Sequence, residues 1–380
     1  MPSRPAPLEI PRRPFRSGSW RGLACLAAVA GGLLAWTPAF AAPGTTGIVS
    51  VDFVGRRATT PQCHASTIVE TASGRLVAAW FGGTHEKHPD VGIWVSRQVD
   101  GAWDDPVEVA DGVQYRRADG SLVRHPTWNP VLFQPRDGPL FLFYKVGPSP
   151  QEWWGMLMTS DDDGRTWSQP RRLPEGILGP IKNKPIQRAD GAWLCPSSTE
   201  SAADGWRVHF ELTRDLGRTW QVFGPVDRPP DFHAIQPSIL EHRDGRLQLL
   251  ARTKNDVLAM SWSSDQGATW SRLEPSGLPN PSSGTDAVTL ADGRHVLVYN
   301  PTRRQPDGRG GPRTPLQVAV SEDGVRWTDV AVLETDDARH GYSYPAVIQT
   351  RDGRVHVTYT WRRLRVRHVV LDPAAFPRRS

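Results

Sequence analysis

The chain has 380 residues, 38% of them hydrophobic, with 35 glycines, 35 prolines and 16 tryptophans. That much Gly and Pro excludes a mostly helical protein, and 22% charged residues beside so many aromatics exclude a disordered polyelectrolyte. The net charge of +5 sits at the N-terminus, where residues 1–21 hold five arginines against Glu9; the remainder is near neutral at +1, so no nucleic-acid partner is expected.

The first element is a secretory signal over residues 1–41. A basic stretch ends at Arg21, an apolar run follows over 23–36, and Ala39-Phe40-Ala41 makes a small-x-small cleavage pattern. An uncleaved membrane anchor is the alternative, and Arg12-Arg13 raises a twin-arginine signal. Removal leaves a single domain over 42–380, no apolar stretch of membrane-spanning length, and a secreted or periplasmic protein. Two cysteines then remain, Cys63 and Cys195, either joined in an oxidising compartment or present as two buried thiols. No Cys/His spacing reads as a metal site, and no cofactor is implied.

A strand is expected at 48–54. Six hairpin turns follow, at Ser73-Gly74, Asp137-Gly138, Asp190-Gly191, Asp244-Gly245, Asp292-Gly293 and Asp352-Gly353, each between segments of alternating apolar residues. Asp-Gly favours tight turns whose twist matches paired strands, because both residues tolerate positive φ. After most hairpins comes a second unit, Ser/Thr-x-Asp-x-Gly-x-Thr-Trp. It runs from Ser160 to Trp167, from Thr213 to Trp220 and from Ser263 to Trp270, with degraded copies ending at Trp103 and Trp327. It reads as a capped turn: Asp and Ser/Thr bond backbone N–H groups, Gly takes the special φ, and Trp packs beneath. Carboxylates at metal-ligand spacing do not surround it.

Inner strand, hairpin, second strand, third strand, capped turn and outer strand make one four-stranded blade. Six hairpins therefore predict an all-β protein, a six-bladed β-propeller of four-stranded antiparallel blades. The sixth hairpin lacks a capped turn and runs into an alternating strand at 364–370. That strand is expected to pair with 48–54 in one blade and close the ring.

The capped turns resemble the Asp boxes of the sialidase superfamily, and from about residue 48 to 372 the chain resembles the bacterial sialidase-like BNR-repeat proteins. Propeller sites lie over the central channel. Residues beginning the inner strands (His64, Asn129, Asn183, Gln236, Asp286, Tyr344) and ending the second strands (Lys145, Glu200, Arg252, Asn300, Arg362) are therefore expected to line a pocket. The resemblance implies a sugar carboxylate held by arginines, a tyrosine nucleophile assisted by a glutamate, and an aspartate acid/base. Carried onto this chain, it assigns Arg252 and Arg313 to the carboxylate and Tyr342 to the nucleophile, with Tyr344 competing. Asp90, or Glu86, takes the acid/base role.

Two departures stand out. His64-Ala65-Ser66 occupies the place of an arginine segment, and Gln236 stands for the glutamate. A neutral amide cannot take a tyrosine's proton, and an unperturbed tyrosine is a poor nucleophile near neutrality. The resemblance thus implies a glycoside hydrolase for acidic or unusual sugars rather than an efficient ordinary sialidase. A propeller lyase, with His64 and Tyr342 moving protons beside a uronate, stays open. So does a non-catalytic carbohydrate-binding propeller using Trp153, Trp154 and Trp361.

Overall fold

The computed structural model describes residues 46–226, 232–306 and 310–378. The segment read as a secretory signal, residues 1–41, lies outside them.

The described chain is all-β apart from one 3-10 turn, Pro373–Ala375. Six sheets, hereafter blades I to VI in chain order, follow the expected plan. Their inner strands are Gln62–Glu70, Thr127–Phe133, Ile186–Gln187, Ala234–Glu241, Asp286–Thr289 and Tyr342–Gln349. Each pairs antiparallel with a second strand across one of the six hairpins. Inner strands of blades IV, V, VI, I and II pack side by side in that order, and the second strand of blade III meets the inner strand of blade IV.

The ring closes as expected. Strand Ile48–Phe53 pairs antiparallel with Arg365–Leu371, from Ile48 opposite Leu371 to Phe53 opposite Arg367, and is the outermost strand of blade VI. Two elements lie outside the expected plan: blade I carries a short fifth strand, Ala102–Trp103, besides Val107–Ala110, and a ribbon stands apart from every blade. Val113–Arg116 and Leu122–Arg124 form a separate ribbon between blades I and II, around Asp119-Gly120.

The capped turns form as read. In the first complete copy Ser160 Oγ accepts from Gly164 N (2.8 Å), and Asp162 accepts from Thr166 N (2.8 Å) and Thr166 Oγ1 (2.7 Å). The Thr213 and Ser263 copies repeat these bonds within 0.1 Å. The hydrophobic core is not one mass. It divides into six clusters, each shared by two adjacent blades around the ring. Cys63 and Cys195 are both buried free thiols.

Candidate active site on the propeller axis

Four inner strands share one irregularity at the axis. Ala65–Ser66, Asn129–Pro130, Gln236–Pro237 and Tyr344–Pro345 each set two residues against one on the second strand, a β-bulge. The first residue of each pair is left-handed, with φ of 54°, 33°, 56° and 54°. Each lies nine residues before the glycine of its hairpin, and in blade III the same count reaches Lys182, φ 67°. In blade V it reaches Gly284. Left-handed non-glycine residues cost about 1–3 kcal/mol each and persist where the surroundings over-determine them. At Gln236, Tyr344 and Lys182 the side chains leave the strand alternation and meet on the axis.

Tyr344 stands at the centre of the resulting cluster. Arg252 Nη1 donates to its hydroxyl at 2.6 Å and to Gln236 Oε1 at 3.2 Å. The guanidinium carbons of Arg252 and Arg313 lie 5.7 and 5.9 Å from the centre of its ring, and Lys182 Nζ lies 6.0 Å away. The His64 ring stands 4.2 Å from the Tyr344 ring, with its Nδ1 2.9 Å from Thr360 Oγ1. Gly284 permits this approach: a Cβ there would come within 3.2–3.3 Å of Lys182 and of Tyr344. Lys182 is held from below by Asn183 Oδ1 (2.8 Å) and the carbonyl of Thr285 (2.6 Å).

The cluster is cationic. His64 is neutral, its pKa pushed well below the usual imidazole value by burial and then by Arg363, Arg313, Arg252 and Lys182. Burial likewise lowers Lys182 to about 7, and Arg313 to about 10. Among the described residues Arg252 and Arg313 make no ion pair with a carboxylate; Arg252 bonds Gln236 and Tyr344, Arg313 bonds Ser343, and Arg252 Nε is buried without an acceptor. Arg363, which the sequence reading missed in favour of its neighbour Arg362, faces the same cluster and pairs with Glu86 at 2.8 Å.

The remaining expected residues take other places. Tyr342 does not join His64, Arg252 and Arg313. Its ring is fully buried in the cluster between blades V and VI, 6.5 Å from Tyr359, and its hydroxyl meets Asp336 and Arg362. Asp90 closes its own loop, accepting from Thr84 N (3.0 Å) and Thr84 Oγ1 (2.6 Å) beside His88. Burial acts to raise its pKa, but the bonds from Thr84 and His88 prevail and hold it low. Asp286 is a buried clamp, taking bonds from Ser238 Oγ, Val347 N and Lys184. Asn183 ties the Gln236 carbonyl (2.9 Å) and Ser238. Asn129 is buried at its bulge.

The second-strand ends explain which polar residues are structural. Seven residues after the hairpin glycine stand Phe81, Lys145, Ser198, Arg252, Asn300 and Thr360. Four of these tie the neighbouring blade: Lys145 donates to Pro180 O, Asn300 to Tyr342 O, Ser198 accepts from Gln236 N, and Thr360 from Ala65 N. Arg252 alone reaches past its neighbour to the centre. Glu200 and Arg362 lie two residues further out. Arg362 stacks on Trp361 at 4.6 Å. Among the described residues no cluster of His, Cys, Asp or Glu could hold a metal ion.

Comparison with known proteins agrees with this architecture. The chain is 26% identical over 222 residues to an anhydrosialidase of Macrobdella decora, covering 53% of this chain and 28% of that one. It is 23% identical over 210 residues to a sialidase of Bacteroides fragilis, covering 51% and 37%. The matches thus span about a third of the length of these relatives. In three dimensions it resembles a Dyadobacter fermentans protein of unknown function (TM-score 0.69, 18% identity, 86% of this chain and 99% of that one). It also resembles a sialidase of Streptococcus pneumoniae (0.67, 14%, 88% and 71%) and the intramolecular trans-sialidase of Ruminococcus gnavus (0.65, 14%, 89% and 100%). At such identities these likenesses show the fold. The model of the BNR repeat-like domain matches residues 74–357, three quarters of the chain, and the protein belongs to that family, as a sialidase-like propeller.

Proposed function

We propose that the protein is a secreted glycoside hydrolase that binds an acidic sugar at its axial cluster. The observation that carries this reading is the pair Arg252, buried, and Arg313, half-buried, set against the Tyr344 ring with no ion pair to a carboxylate. Buried cations are costly unless paired, so the arrangement favours an anionic ligand, and a planar guanidinium suits a carboxylate. The distant likeness to sialidases supports a glycosidic substrate.

Tyr344 takes the nucleophile's place in this proposal. Gln236 shares Arg252 with it but cannot accept its proton. The neutral imidazole of His64, packed on the same ring, is the group with a lone pair to offer. A weak acceptor makes a slow nucleophile, so ordinary α-sialosides are expected to be poor substrates. The test is to incubate the mature protein with a panel of sialosides and uronic-acid glycans and to read products by mass spectrometry, beside a Tyr344→Phe control. Release of an acidic monosaccharide carrying one added water, lost in the control, supports the proposal. An unsaturated product absorbing in the ultraviolet replaces hydrolysis by elimination, and sialoside turnover on the order of 10 per second restores an efficient sialidase.

A further inference from the structure

A groove of about 430 Å³ opens between blades II and III, within the range of small-molecule sites. Trp153, Trp154, Arg172 and Glu200 are among its walls. Both indoles are partly exposed. They are also held still: Trp153 stands edge-on to Trp128 at 5.9 Å, and Arg172 lies 4.8 Å over Trp154.

Glu200 joins this groove to the axial cluster. It stands near the end of the strand Trp193–Ser201, directly opposite Trp206 in register, so the Trp206 side chain lies beside its carboxylate. The Trp206 ring carries Arg252 at 4.9 Å and Lys254 at 4.3 Å. Arg252 in turn donates to the Tyr344 hydroxyl. One side chain thus separates Glu200 from the proposed nucleophile's partner. The charged groups facing Glu200 are Arg252, Lys254 and Glu86.

We propose that this groove is the leaving-group half of the site, that it takes a neighbouring sugar residue, and that Glu200 gives the proton to the departing oxygen. The substrate is then an acidic sugar linked to another sugar. The bond between the anomeric carbon and the glycosidic oxygen breaks, and its electron pair stays on that oxygen. The oxygen takes the Glu200 proton. The Tyr344 oxygen closes on the anomeric carbon as its proton passes to His64; water then displaces Tyr344, which recovers that proton, and the proton the water releases returns to Glu200. Burial holds the Glu200 carboxyl above the ordinary range against the pull of Arg252, as a general acid needs, whereas Asp90 is held low within its own loop.

The proposal rests on the hydrolase reading, and the experiment separates the two. Glu200→Gln and the wild type are assayed on an aryl sialoside and 3′-sialyllactose, and on an aryl glucuronide and a glucuronic-acid-capped disaccharide. An aryl alcohol leaves with little protonic help. Glu200→Gln is expected to lose about 10²–10⁴-fold on the sugar-linked substrate and far less on the aryl one, with the high-pH limb of the rate profile flattened. Equal losses on both overturn the acid role. In parallel, tryptophan fluorescence reads binding of the same disaccharides and their acidic monosaccharides to the wild type and to Trp153→Ala. Tighter binding of a disaccharide, lost in the variant, supports the groove. No preference for disaccharides overturns it. Binding preference without turnover leaves the groove standing and removes the hydrolase reading.

Discussion

Tyr342 and Tyr344 differ in surroundings because of one backbone angle. Regular alternation would send both rings to the same face of the strand. The left-handed φ at Tyr344 breaks the alternation, leaving Tyr342 in the core between blades V and VI while Tyr344 meets Arg252 on the axis. The sequence showed that a tyrosine begins this strand but not which one, because a bulge has no local signature beyond Pro345. Arg252 and Arg313 were legible from their places at a strand end and before a strand. Lys182 was missed because Asn183, one residue on, had the more familiar polar look. Tyr344→Phe is expected to abolish turnover of whatever glycoside proves active, and Tyr342→Phe to leave it within a few-fold; steady-state kinetics on the two variants checks the assignment. Arg252→Ala removes a charged hydrogen bond worth about 1.5–3 kcal/mol, so kcat/KM should fall about ten- to over a hundredfold. An unchanged kcat/KM would remove Arg252 from the site.

At the scale of the element, counting from the hairpin glycine orders the molecule better than polarity does. The position nine residues before it is left-handed in five of the blades, and the position seven after it mostly ties the next blade. That rule was present in the sequence but needed the bulges to give it meaning. The capped turns were fully legible, since each bond joins residues four or fewer apart. They also predict acid sensitivity. Bonds from Thr166 and Thr219 hold Asp162 and Asp215 down to about 2, below the unfolded value. A carboxylate with a depressed folded pKa contributes stability above its unfolded pKa and loses it as pH falls through the folded one. The melting temperature should therefore decline between about pH 4 and pH 2. Thr166→Val and Thr219→Val together should flatten that decline. An equally steep decline in the double variant would place the acid sensitivity elsewhere. Gly284→Val tests the axial packing: its side chain would press on Lys182 and Tyr344, so turnover should drop while the far-UV spectrum stays all-β.

The whole molecule is held by six interfaces rather than one core, so its integrity depends on the ring being complete. Closure was legible because a strand was left over at each end of a six-hairpin count and strands require partners. The strand Ile48–Phe53 contributes little burial of its own, with four of its six residues exposed. Its role is to cover the edge of Arg365–Leu371, whose unpaired N–H and C=O groups would otherwise offer a template to other chains. Starting the chain at Gly55 removes that cover and leaves the six interblade clusters nearly untouched, Val54 and Ile48 excepted. The expected result is a chain that still gives a β-type spectrum but melts several degrees lower and associates in size-exclusion chromatography. Substituting Asp52 and Val51 by proline in the full chain should reproduce the loss, since one of two adjacent residues donates to the ladder and proline removes that donor without shortening the protein. A truncated protein that stays monomeric and melts with the parent would mean that the interfaces alone hold the ring, and that the terminal strand is dispensable.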